Sequence, residues 1–331
     1  DNPFFSTIPY DFQQTALFAE GTFDLTERLS ATVGGRYYDY KEDRVLYFGG
    51  IFADTEGTAG EPTNGPGSTS DDGFLPRVLF SYDVSDNLQL NAQAAQGFRL
   101  GGINDPLNLP LCQGNDATTY GGFGSFDSET LWNYELGAKI GFADGRGQFN
   151  IAVFQADIED MQLPVVAGTC SSRILLNVPE ASSTGVEMEL IAQPTDRFDF
   201  GISATYTDSR LDSSLILDVN GVPTVLANIV EGNRLGSVPE FQMSANANYT
   251  FPMTDRVEGF ISASYQHVGS RYTQNADQAS GFGTASIITG TVTGVGFGAP
   301  VSGGSPVTTF TFDPLLPAYD IGNLRFGVRG D

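Results

Sequence analysis

The feature that most constrains this chain is an alternation of apolar and polar residues with period two, sustained over unusually long runs. Along 241–251, Phe241, Met243, Ala245, Ala247, Tyr249 and Phe251 alternate with Gln242, Ser244, Asn246, Asn248 and Thr250. A strand sends successive side chains to opposite faces, so this run has one apolar face and one wet face, a division a helix would scramble. Trp132, Tyr134, Leu136, Ala138, Ile140 and Phe142 likewise oppose Asn133, Glu135, Gly137, Lys139 and Gly141. The pattern returns at 88–94, 186–190 and 198–206.

Read end to end, the sequence gives eleven strands: 14–25, 30–43, 74–84, 88–100, 129–143, 147–160, 184–193, 198–210, 239–251, 256–272 and 318–330. Ordinary strands run about 5 or 6 residues, whereas a tilted crossing of hydrocarbon needs about 9 to 11. The connections alternate in length. Short turns rich in turn formers fall at 26–28, 85–87, 144–146, 194–196 and 252–255, and long loops at 44–73, 101–128, 161–183, 211–238 and 273–317. A soluble sandwich has no reason to keep its short turns at one end, but an outer-membrane barrel has short periplasmic turns and long extracellular loops. The expected fold is therefore all-β: an antiparallel up-and-down transmembrane β-barrel wall, with residues 1–331 forming one partial barrel domain. Aromatics near the run ends (Tyr37, Tyr38, Tyr40, Trp132, Tyr134, Tyr265, Tyr272) are read as interfacial girdles.

Composition narrows the rest. With 40 Gly, 12% aromatics and no run of 18 apolar residues, the chain suits strands and turns and excludes a helical membrane protein. Its net charge of −24 argues against nucleic acid, whose phosphates it would repel. His267 is the sole histidine, so neither a histidine triad nor a His-rich metal cluster can be assembled. The glycine-rich stretch at Gly281 lacks the lysine of a phosphate loop, and 283–304 is low-complexity sequence expected to form a loop or loop hairpin. No enzyme, metal site or cofactor is expected. The chain begins at Asp1 without a charged and apolar leader, which reads as an internal piece of a longer protein.

Several segments carry a family likeness: GTFDLTERLSATVGGRYYDYKED, FLPRVLFSYDVSDNLQLNAQAAQGFRLGGIN and FDSETLWNYELGAKIGFADGRGQFNIAVFQADIEDMQ, then GVEMELIAQPTDRFDFGISATYTDSRL, GNRLGSVPEFQMSANANYTF and LPAYDIGNLRFGVRGD. Their order and spacing resemble the middle and later barrel of TonB-dependent outer-membrane receptors, lapsing in the long loops. The resemblance implies a Gram-negative outer-membrane protein taking up a scarce small molecule such as a ferric siderophore. It also implies contact with outer-membrane lipid and with the TonB complex through a plug domain. Neither the plug nor the last two strands of a barrel of about 22 strands is expected in this chain.

Lumen-lining candidates on the polar faces are Arg36, Arg77, Arg99, Glu135, Lys139, Glu187, Glu189, Asn246 and Arg325, joined by Asn133, Asp199, Asn248, Glu258 and Arg329. Their ordinary role is to satisfy water and plug. Ligand contacts are expected in the loops, at Asn104 and the aromatic stretch holding Tyr120, Phe123 and Phe126. Cys112 and Cys170 lie in consecutive extracellular loops of an oxidising compartment, where a bridge would pin two lids together. Two other readings stay open: a passive porin-like channel, and a secreted all-β adhesion module whose apolar stripes pack sheet on sheet.

Overall fold

The computed structural model describes residues 5–49, 62–107, 109, 112–170, 172–289 and 305–330. Strands β1 (Phe5–Thr7) and β2 (Tyr10–Asp24) both pair with β3 (Leu29–Gly49), which is followed across the sheet by β4 (Pro62–Ser85) and β5 (Leu88–Arg99). The next connection holds the short pieces β6 (Gly102–Ile103), α1 (Asp116–Tyr120) and β7 (Ser125–Phe126). The sheet continues through β8 (Glu129–Phe142), β9 (Gly147–Val166), β10 (Arg173–Thr195) and β11 (Phe198–Leu211). A small hairpin, β12 (Ile216–Val219) with β13 (Val222–Val225), precedes β14 (Phe241–Thr254) and β15 (Val257–Val268). A second hairpin, β16 (Thr284–Thr289) with β17 (Ser305–Thr311), precedes β18 (Tyr319–Gly330), the last strand along the sheet path. Sequence neighbours pair antiparallel throughout this sheet.

Four of the five tight turns share one device, a hydroxyl that accepts the backbone N–H two residues on. Thr26 Oγ1 accepts from Arg28 at 3.2 Å, Ser85 from Asn87 at 3.4 Å, and Thr195 and Thr254 each accept at 3.3 Å, from Arg197 and Arg256. The fifth turn uses positive φ at Asp144 (55°) and Gly145 (83°).

The register joins the apolar stripes into one surface. Ala31, Phe80, Ala92, Leu136, Val153, Val186, Tyr206 and Phe241 are successive cross-strand partners. On the other face, Gln89, Lys139, Asn150, Glu189, Ser203, Ser244 and Gln266 form an equally continuous polar row. The apolar stripes are not sealed within a sandwich, since Leu136 is 62% and Phe326 79% exposed. A face of exposed large apolar side chains backed by a hydrogen-bonding face is what a barrel wall presents to lipid and lumen.

Three expectations change. The loop read at 161–183 is mostly strand, because β9 continues to Val166 and β10 starts at Arg173, and the loop read at 44–73 is flanked by strand to Gly49 and from Pro62. Residues 50–61 of that loop, and 290–304 of the low-complexity stretch, lie outside the described residues. Tyr38 and Tyr40 are not girdle residues: both are buried on the polar side, packed with Leu75 and Phe98, and only Tyr37 faces outward. The reason is parity, since adjacent residues of a strand cannot share a face.

The main core lies above the sheet, at the long-loop end. Ile174, Leu176 and Val178 of β10 pack with Leu163 and Val165 of β9, with Leu211 at the end of β11, and with Leu226, Ile229 and Leu235 from the connection that follows it. In β10 the buried positions are Ile174, Leu176 and Val178 in the upper part and Ala181 and Gly185 next below, so burial changes parity between Val178 and Ala181. The switch falls at Pro179, which has no N–H for the ladder, and at Asp160, whose φ is +53°. Asn177 holds the switch by donating to the Asp160 carbonyl at 2.8 Å.

Candidate ligand-binding loops

The connection between β5 and β8 folds down onto the top of β10, and Asn104 fastens it there. Its Nδ2 donates to the carbonyls of Phe123 (3.0 Å) and Leu175 (2.8 Å), and its Oδ1 accepts from the Leu175 N–H at 2.7 Å. Asn104 is 7% exposed with its amide committed to backbone, so it acts as a brace. Beside it Phe126 pairs with Gly102, where an added Cβ would come within 2.6 Å of the Phe126 ring. Gln162, 4% exposed, ties the same connection to β9 by donating to the carbonyls of Leu100 (2.8 Å) and Asp127 (3.0 Å).

Cys112 and Cys170 are joined as a disulfide. Next to it the Asp116 carboxylate accepts from both the N–H (2.7 Å) and the hydroxyl (2.6 Å) of Thr169. Glycine is required at 168, where φ is +51° and a Cβ would sit 2.5 Å from the Asp116 carboxylate. These hydrogen bonds, the Thr169 hydroxyl first and then its N–H, hold Asp116 below the usual carboxylate range. The stability from this lowered pKa is fully present above the unfolded value of about 3.9 and is lost as pH falls through the lower folded value. Proteolysis of the loop should therefore accelerate only in acid below that range, and Asp116→Asn should abolish the acid dependence. Replacing both cysteines by serine should cost about 2–4 kcal/mol of local stability, read as faster hydrogen exchange across α1 with the strands unchanged.

Above the brace is a cavity of about 300 Å³ lined by Leu46, Ile103, Asn104, Asp105, Leu107, Tyr120, Phe123 and Ile174 among others. Tyr120, 8% exposed, presents its ring there, and burial raises its phenol pKa. Of the four loop candidates, Asn104, Tyr120 and Phe123 meet at this cavity and Phe126 does not. The sequence reading missed Leu46 and Ile174, which come from strand ends far away in the chain.

On the polar face the register collects Arg36, Arg77, Glu135, Lys139, Glu187, Glu189, Asn246 and Arg325. Arg77 binds Glu20 at 2.8 Å and Gln93 at 3.0 and 3.1 Å. Glu135, Lys139, Glu187 and Glu189 share a groove of about 470 Å³, where Asn150 donates to Glu189 at 2.9 Å. Asn246 stands close to Gly201, and the Arg325 guanidinium lies 5.5 Å from the Phe260 ring centre. Arg99 stands at the top of β5, bound to Glu129 at 2.6 Å and to the Gln162 carbonyl at 2.7 Å. Among the described residues no group of three or more His, Cys, Asp or Glu is arranged to hold a metal ion.

Long antiparallel strands, a lipid-type face, a polar face, short turns at one end and stapled loops at the other define the wall of an outer-membrane β-barrel. The family description "TonB dependent receptor-like, beta-barrel" matches residues 1–299, and the chain belongs to this family of Gram-negative outer-membrane receptors. The pesticin receptors of Yersinia enterocolitica and Yersinia pestis are 27% identical over 247 residues, 74% of this chain and 32% of theirs. The chain thus spans about a third of the length of these curated relatives. Among solved structures, the ferric yersiniabactin uptake receptor FyuA from Yersinia pestis matches with a TM-score of 0.62 at 22% identity, covering 83% of this chain and 37% of that one. The ferric-catecholate import receptor Fiu from E. coli K12 also gives 0.62, at 14% identity, covering 97% of this chain and 39% of that one. At these identities the structural likeness speaks for the fold alone.

Proposed function

We propose that this wall belongs to a receptor that takes up a scarce small molecule, a ferric siderophore being the leading class, with energy delivered by TonB through a plug. The supporting observation is the family match over residues 1–299, together with relatives whose names specify pesticin, ferric yersiniabactin and ferric catecholate. Residues 1–331 then form one stretch of a larger barrel. Among the described residues β2 and β18 pair on one side only, and strand edges left unpaired in lipid are costly, which supports the reading of a larger barrel. The polar face lines the lumen, with Glu135, Lys139, Glu187 and Glu189 against plug and water. Tyr120 and Phe123 contact ligand at the mouth, while Asn104 and the Cys112–Cys170 bridge hold them in place.

Uptake of labelled ferric chelates into iron-starved cells carrying the full receptor tests this reading. Uptake is expected to stop when either the receptor or TonB is removed. Uptake that persists without TonB, with open-channel conductance in planar bilayers, would instead identify a passive pore. Tyr120→Ala with Phe123→Ala is expected to weaken ligand binding at least about tenfold without changing receptor abundance.

A further inference from the structure

We propose that the outward face of this wall carries a retained-lipid site, a trough holding one acyl chain of an outer-leaflet lipid. The trough has a volume of about 900 Å³ and crosses β4 to β11. Phe80 and Tyr206 form its rims, while Ala92, Ala94, Val153 and Val186 give it a floor of smaller side chains. All six belong to the outward stripe by register, so the trough opens onto the bilayer and is continuous with the face that already meets lipid.

The two ends differ chemically. Toward the turns the stripe remains apolar through Ile151, Met188 and Ala204. Toward the long loops it ends at Gln155, Thr184 and Asp208, successive partners in one row. Behind that row Asp157 accepts from Gln155 at 2.7 Å and Arg210 lies 2.6 Å from Asp208, while Trp132 stacks on Tyr134 with ring centres 6.0 Å apart. Aromatic side chains of this kind mark the level of lipid head groups. An apolar channel capped on its outer side by carboxylate, amide and hydroxyl groups fits an amphiphile of the outer leaflet whose head offers hydroxyl or amide donors. A void in hydrocarbon forfeits dispersion contacts along its lining, and a linear acyl chain restores them along a narrow floor.

The test uses the full receptor extracted from outer membranes in mild detergent, washed, and examined by native mass spectrometry with lipid extraction. One lipid should remain per receptor, and Ala94→Phe, which fills the floor, should lower its retention at least about tenfold. Ile202→Phe, on the same face outside the trough, should leave retention unchanged. Assembly of each variant is read from heat-modifiable gel mobility, and Ala92→Leu serves as the milder filling change should Ala94→Phe fail to assemble. Absence of retained lipid in the parent, equal retention in the filled variant, or a protein cross-linked across Tyr134 in its place would overturn the proposal.

Discussion

Ile202→Arg should remove about 2–4 kcal/mol from folding into a bilayer, while Ser203→Arg should cost far less. The two positions are adjacent in β11 and differ only in the face they serve. Ile202 sits in the outward row with Leu190 and Ala245, midway along an apolar band that runs on β11 from Phe198 to Tyr206. Arginine there would place a charge in hydrocarbon. Ser203 lies in the polar row, its hydroxyl 2.7 Å from that of Ser244, and an arginine there reaches water and the neighbouring Glu189. Equilibrium folding of the full receptor into vesicles, or its abundance in outer membranes, measures the difference. Equal losses at both positions would show that the assignment of faces is wrong.

Leu211→Ala should destabilise the loop layer by about 2–5 kcal/mol while leaving the membrane band intact. Leu211 has no exposed surface, and its neighbours, Val178 and Ile229 among them, are equally enclosed. Its backbone N–H also donates to the Asn233 carbonyl at 2.9 Å, a bond that alanine keeps, so the change isolates packing. The expected signature is faster protease cleavage and hydrogen exchange between β11 and β14, with heat-modifiable mobility unchanged. Loss of the whole barrel would mean that the loop core and the wall fold as one unit.

The wall was legible because alternation is a local property that lipid and water enforce residue by residue. The upper strands were harder to read. Leu163 and Val165, like Ile174, Leu176 and Val178, alternate as well as any membrane strand, but Pro164 and Pro179, a residue type that cannot donate to a ladder, stand among them. Both prolines sit within strands all the same, and the parity switch beside Pro179 turns these side chains into a core that Tyr120 and the connection after β11 help to complete. Tyr38 and Tyr40 could have been placed by counting from Tyr37. Asn104 could not, because the backbone groups it binds belong to Phe123 and Leu175, which only folding brings beside it.

The staple between Cys112 and Cys170 bears on biogenesis. It closes 112–170 into a covalent ring that contains β8 and β9, so those two strands share one tether at their outer ends. If oxidation precedes insertion, the pair must enter the bilayer as a closed bight, carrying the outer caps across together. If it follows, the thiols must find each other at the cell surface, and the order of the two events decides whether this part of the wall is delivered already buckled.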